Sequence, residues 1–135
     1  GLSDHMTVYG MTLGAGTAFK WPGRININTA ALPVLAALLG IENQELAQTL
    51  YDFRQEIVES KDVHDFSNTK WYKDIPGFGD IPIDPRLITV SSDVFRIESE
   101  AAISNIKTTV TAVVQRVQSP PSGKWMCKVL NWQTK

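Results

Sequence analysis

The chain has 135 residues, 43% hydrophobic and 20% charged, which suits one compact domain or two small lobes and excludes disorder as the main reading. Thirteen Lys and Arg against fourteen Asp and Glu leave a formal net charge of -1, so the molecule as a whole offers no electrostatic footprint for nucleic acid or anionic lipid. The single cysteine, Cys127, excludes an intramolecular disulfide and obliges any zinc site to rely on His and carboxylates.

In chain order, Gly1-Leu2-Ser3-Asp4-His5-Met6 (residues 1–6) reads as an expression-tag remnant, so the chain is expected to be a fragment of a longer protein. No run approaches the roughly 20 apolar residues that span a bilayer, and the fragment is expected to be soluble. Residues 7–23 are predicted to hold a short strand over Thr7–Gly10 and a loop over Gly14–Ala18, closed by Trp21-Pro22-Gly23.

Residues 24–84 read as a helical lobe. Pro33 in a first turn and Gly40 after a last turn bracket a short buried helix over Leu32–Leu39. A second helix is expected from Asn43, taken as its N-cap, to near Ser60. Its apolar residues Leu46, Leu50, Phe53 and Ile57 form one stripe, while Glu45, Gln48, Asp52, Gln55, Glu56 and Glu59 face solvent. Leu35, Leu38, Leu46, Leu50 and Phe53 are the expected core. A third helix is predicted in the segment holding Phe66, Trp71 and Tyr72, followed by turns from Ile75 to Pro82.

Residues 85–135 change texture to β-branched residues and read as an antiparallel sheet lobe. Strands are expected over Leu87–Val90, Val94–Ala101, Ile106–Arg116 and Lys124–Trp132. Short polar connections at Ser104-Asn105 and over Gln118–Gly123 make consecutive hairpins the simplest topology. Phe95, Ile97 and Ala101 share one face while Arg96, Glu98 and Glu100 share the other, the alternation of a sheet with one wet side. The fold class is therefore α+β, a small helical lobe followed by an antiparallel β-meander.

Little in the sequence points to catalysis. Outside the tag, His64 is the sole histidine and lacks a recognisable nucleophile motif, so no catalytic residue is assigned. Cys127, mid-strand beside Trp125 and Val129, reads as a small hydrophobe. Asp62, His64 and Asp65 have a spacing that oxygen ligands of a hard cation can adopt, but they lack the EF-hand series, and Asp62 and Asp65 read more simply as helix caps. Gly77-Phe78-Gly79 could aim backbone N–H groups at an anion, yet no Lys and Ser or Thr follow, and Asp80 would repel a phosphate, so it reads as a turn.

The string Ile25-Asn26-Ile27-Asn28-Thr29-Ala30, followed by Leu35-Ala36-Ala37-Leu38-Leu39-Gly40-Ile41 and then Arg54, resembles the entry to helix-hairpin-helix (SAM-like) modules. In members that bind DNA, the hairpin's backbone N–H groups hold a phosphate. Here Glu42 replaces the second glycine and puts a carboxylate at that place, so nucleic-acid binding is not expected. The order of Thr7-Val8-Tyr9-Gly10, the Ile-Asn-Ile-Asn-Thr-Ala string, Leu87 to Ala101, a Thr-Val-rich strand ending at Gln115-Arg116, and Val129-Leu130-Asn131-Trp132 resembles the C-terminal half of the general secretion pathway protein K family, the minor pseudopilin K of type II secretion.

That resemblance implies a helical domain inserted into a pilin-like sheet, in a structural, non-enzymatic subunit at the pseudopilus tip. It implies minor pseudopilins I and J and other type II secretion components as partners. It also implies a membrane-anchored full-length protein at the periplasmic face of the bacterial inner membrane, with a pilin helix over one sheet face. No cofactor is required; some family members bind calcium in the helical insertion, but no ligand set in this sequence is close enough to carry over. The alternative is a helix-hairpin-helix nucleic-acid-binding module, with a hydrolase ranked below both.

Overall fold

The computed structural model describes residues 7–13, 18–21, 23–59, 65–119 and 121–135. Two short strands, β1 (Thr12–Leu13) and β2 (Phe19–Lys20), pair antiparallel. Thr7–Gly10, expected as a strand, is irregular, and Gly10 takes a left-handed φ of 96° that breaks extended pairing. The tag remnant, Gly14–Thr17 of the expected loop, and Pro22 lie outside the described residues.

Two compact units divide the chain. One holds Thr7 and Pro22–Ser91; the other joins Val8–Trp21 to Ser92–Lys135. The chain is thus α+β, with the helical unit running on to Ser91 rather than ending at 84.

The helical unit opens with β3 (Ile25–Asn26) and a turn in which the amides of Thr29 and Ala30 both donate to the Asn26 carbonyl, at 3.1 and 2.9 Å. Helix α1 (Leu32–Leu39) follows, with Pro33 in its first turn, and ends at Gly40, whose φ of 78° a side chain would strain. The second helix does not start at Asn43. Ile41–Asn43 is a single 3-10 turn, and Asn43 closes the preceding helix, its Nδ2 donating to the Leu39 carbonyl at 3.4 Å. Helix α2 then runs Leu46–Glu59.

The expected third helix is reduced, among the described residues, to a 3-10 turn over Trp71–Asp74. Before it, the Oδ1 atoms of Asp65 and Asn68 each accept the amide two residues on, from Ser67 and Lys70, both at 2.9 Å. Such local bonds compete with the helical ladder, which explains the difference. The segment after Ile75 is turns as expected, though Phe78 between its two glycines is wholly buried.

Leu87–Val90 corrects a second expectation. It does not join the meander: β4 (Ile88–Thr89) pairs parallel with β3, Ile25 donating to the Leu87 carbonyl at 2.7 Å and Ile27 to that of Thr89 at 3.0 Å. Ile88 is buried in the helical core, so its apolar contacts lie there. That core gathers Ile27, Leu35, Leu39, Ala47 and Leu50 with Trp71, Tyr72, Ile75, Phe78, Ile83 and Ile88. Leu38, Leu46 and Phe53, expected inside it, are half-buried and packed against its edge.

The other unit carries a three-stranded antiparallel sheet in the order β5 (Val94–Ile103), β6 (Ile106–Ser119), β7 (Lys124–Thr134). The expected two-residue turn Ser104-Asn105 joins β5 to β6, with Ser104 at φ 54°. A bulge between Val113 and Val114 shifts the register of β7. No helix among the described residues is long and apolar enough to cross a membrane.

Candidate functional site

The Asn-x-Asn-Thr-Ala string that singles out the helical lobe has a structural explanation residue by residue. Asn26 shapes the turn, its Oδ1 accepting the Asn28 amide at 3.0 Å. Asn28 then uses its side chain in three directions. Its Nδ2 donates to the Phe66 carbonyl at 3.0 Å and to the Val90 carbonyl at 3.2 Å, while its Oδ1 accepts Trp71 Nε1–H at 2.8 Å. One amide therefore ties together the turn, the 3-10 segment and the strand end after β4.

Arg54 completes the frame from α2. Only 7% exposed, it donates from Nη1 to the Ile27 carbonyl at 2.8 Å and from Nη2 to the Ala30 carbonyl at 2.9 Å. Both acceptors precede α1. Among the described residues no carboxylate pairs with it. Burial pulls its guanidinium below the usual arginine range, opposed by the Tyr51 ring, which lies 5.0 Å from the guanidinium carbon. An open cleft of about 480 Å³ runs between the turn and α2, bordered by Asn28, Ala30, Leu32, Tyr51, Arg54 and Gln55.

The hairpin between the helices presents different chemistry. Ile41 at its tip is 85% exposed, and Glu42 beside it faces solvent with Glu45, Asp52 and Glu56 along the neighbouring surface. A phosphate approaching there would meet carboxylates, so the geometry is poor for nucleic acid.

Of the other candidates, Asp62 and His64 lie outside the described residues. Asp65 turns its Oδ1 onto the backbone of Ser67, and among the described residues no three His, Cys, Asp or Glu side chains converge. Gly77 to Gly79 is a turn anchored by Phe78, with the Phe78 amide donating to the Ile75 carbonyl at 3.0 Å. Cys127 lies in β7 as a free, exposed thiol.

Its surroundings define the second feature. The register puts Phe95, Ile97 and Ala101 of β5 on the same sheet face as Val110, Ala112 and Val114 of β6. Trp125, Cys127, Val129 and Trp132 of β7 continue that face. The expected alternation of β5 therefore holds, but the apolar side lies open: Ile97 is 51% and Trp132 60% exposed. On the opposite face, Asn131 Nδ2 donates to the Tyr9 hydroxyl at 3.0 Å and Gly10 lies beside Val94.

Sequence reasoning missed Asn28 as the hub and Ala47 in the core. The Asn-x-Asn pattern before a helix could have signalled the first, because Asn side chains bond backbone two residues away. Comparison with protein-family models, curated proteins and solved structures yields no match.

Proposed function

We propose that this chain is a structural subunit that acts by protein contact, a minor pseudopilin of the general secretion pathway protein K type at the tip of a type II secretion pseudopilus. The observation that carries the reading is the interrupted sheet unit. Its two segments, Val8–Trp21 and Ser92–Lys135, flank a helical unit that begins and ends on one parallel strand pair. A helical body inserted into a pilin-like sheet is the arrangement that family resemblance implies.

The partners in this reading are minor pseudopilins I and J, and the parent protein is tethered at the periplasmic face of the inner membrane. Bulk is the proposed mechanism: a lobe carried on a pilin sheet obstructs a further subunit adding above it, which suits a terminal position. The polar groups of the helix-hairpin-helix-like string support the same reading, since Asn28 and Arg54 bond the unit's own backbone. The alternative, a nucleic-acid-binding module, draws on the exposed Gly40-Ile41 hairpin and is opposed by Glu42.

Co-purification tests the proposal. A longer version of the chain that includes the periplasmic part of the expected helix should retain pseudopilins I and J. Binding to neither, together with intact type II secretion after deletion of the gene, would reject it.

A further inference from the structure

We propose that the cleft between the turn before α1 and helix α2 holds a carboxylate of a partner polypeptide against Arg54, from an acidic side chain or a chain terminus. The inference goes beyond the pseudopilin reading and does not depend on it.

Arg54 brings a charge that its own unit leaves unbalanced. It is only 7% exposed yet borders the cleft. Nη1 and Nη2 each give a hydrogen to a carbonyl, those of Ile27 and Ala30. Nε–H and the other hydrogens of Nη1 and Nη2 have no acceptor among the described residues. The Tyr51 ring covers one face of the group, which leaves its edges for hydrogen bonding. A buried cation without a counter-charge carries a desolvation cost that a bound anion offsets.

The start of α1 supplies a second, independent set of donors. Ala31 caps the helix without a side-chain hydrogen bond, and the first turn holds no acidic residue. The amides of Ala31 and Leu32 donate to nothing among the described residues, and both residues border the same cleft. Amides at the positive end of a helix favour a negative charge beside them.

Charge selects a carboxylate rather than a phosphate. Among the described residues bordering the cleft, Arg54 is the only charged side chain. Asp52 and Glu56 lie two positions to either side of it, on another side of α2, and Gln48 Nε2 donates to Asp52 at 2.7 Å. One positive charge with acids nearby balances a monoanion better than a phosphate dianion. Its planar fork also matches the two oxygens of a carboxylate. Ala30, Leu32 and Tyr51 add apolar wall, and about 480 Å³ leaves room for residues that flank the acid, which favours a polypeptide over a small free acid.

NMR titration of the chain tests this. The probes are Ac-Ala-Glu-Ala-amide, its uncharged counterpart Ac-Ala-Gln-Ala-amide, Ac-Ala-Leu-Ala with a free C-terminus, and inorganic phosphate. An acidic peptide should shift the amides of Ala31 and Leu32 and the Arg54 Nε–H, with a dissociation constant on the order of 1 mM. The glutamine peptide should bind more than about tenfold more weakly. The acidic peptide that binds more tightly identifies the source of the carboxylate. Ala31→Glu places the chain's own carboxylate at an exposed position where an acid suits the helix, so circular dichroism should find it folded. It should lose peptide binding by more than about tenfold, whereas Lys70→Ala, outside the cleft, should leave binding unchanged. The comparison of glutamate and glutamine peptides uses the unaltered chain and carries the test if Ala31→Glu does not fold. Equal binding of those two peptides, no shift from either acidic peptide at about 10 mM, or binding that survives Ala31→Glu overturns the proposal. So does phosphate binding more tightly than both acidic peptides.

Discussion

Arg54 on α2 donates from Nη1 to the carbonyl oxygen of Ile27 across 2.8 Å, and with Nη2 it reaches Ala30 three residues later. A single guanidinium thus grips both ends of the turn that launches α1. Its planar fork suits two carbonyls at once, which an ammonium cannot copy. Replacing Arg54 with Met keeps most of the aliphatic volume and strands both carbonyls, so urea unfolding of the helical unit should show a loss of about 2–4 kcal/mol. Arg54→Lys should recover only part of that. An unchanged unfolding midpoint for Arg54→Met would show that the turn holds without this grip.

Asn28 gives a prediction with a pH signature. Asn28→Asp keeps the acceptor for Trp71 but loses the two donors to Phe66 and Val90, placing a carboxylate against two carbonyl oxygens. The cost at neutral pH should be about 2–3 kcal/mol. A carboxyl in that setting has a raised folded pKa, so the variant binds its proton more tightly when folded. Its deficit should shrink as pH falls through that raised pKa, and tryptophan fluorescence during unfolding would follow it. A deficit independent of pH would mean that the substituted side chain has left the turn.

Leu50 and Phe53 lie three residues apart on α2 yet differ in depth. Leu50 is wholly buried, while Phe53 is half-buried and stacks on Trp71 with ring centres 6.1 Å apart. Leu50→Ala should cost about 2–5 kcal/mol and Phe53→Ala about 1–3 kcal/mol, since a rim position leaves a smaller cavity. Thermal unfolding should rank them in that order.

Asp84 is held at a pKa of about 2 because the Arg86 side chain donates to both its carboxylate oxygens and the Arg86 amide to one. The folded pKa lies below the ordinary value of 3.8, so the charged form favours the fold. That contribution is complete above the ordinary carboxylate range and disappears as pH falls towards about 2. Carboxyl NMR should find the Asp84 midpoint near 2, and Arg86→Ala should return it towards the usual range. Both side chains are solvent-facing, so the readout is titration rather than stability.

Duplex DNA should produce no salt-sensitive mobility shift at micromolar protein. Glu42 at the hairpin and the net charge of -1 deny it the several phosphate contacts that non-specific binders use. A shift that weakens with added salt would favour the hairpin-module alternative.

The parts legible in the sequence were those set by local chemistry. Pro33 and Gly40 marked α1, and the polar pair Ser104-Asn105 marked the first sheet hairpin. Positions set by distant partners were less legible. Asn43 looked like a helix start because an Asn caps well, but the Leu39 carbonyl claims its side chain. Ile88 looked like a meander strand because it is β-branched, but its strand partner is Ile25, sixty-three positions away. Arg54 was legible as a motif residue while its acceptors were not, because nothing in a one-dimensional pattern says which carbonyls a long side chain will reach.

The parallel pairing of Ile25–Asn26 with Ile88–Thr89 also affects how the chain can assemble. Unfolded, the stretch from 22 to 91 is a tether of roughly 70 residues between the two segments of the sheet unit. Once β3 and β4 pair, the path between those segments contracts to the few residues leading into and out of the strands. Each halving of a flexible loop is worth about 0.6 kcal/mol of closure entropy, so a sixteenfold contraction lowers the barrier to joining them by about 2.4 kcal/mol. A helical unit that forms early acts as a clasp, raising the effective concentration of Val8–Trp21 beside Ser92–Lys135 before either has found its place.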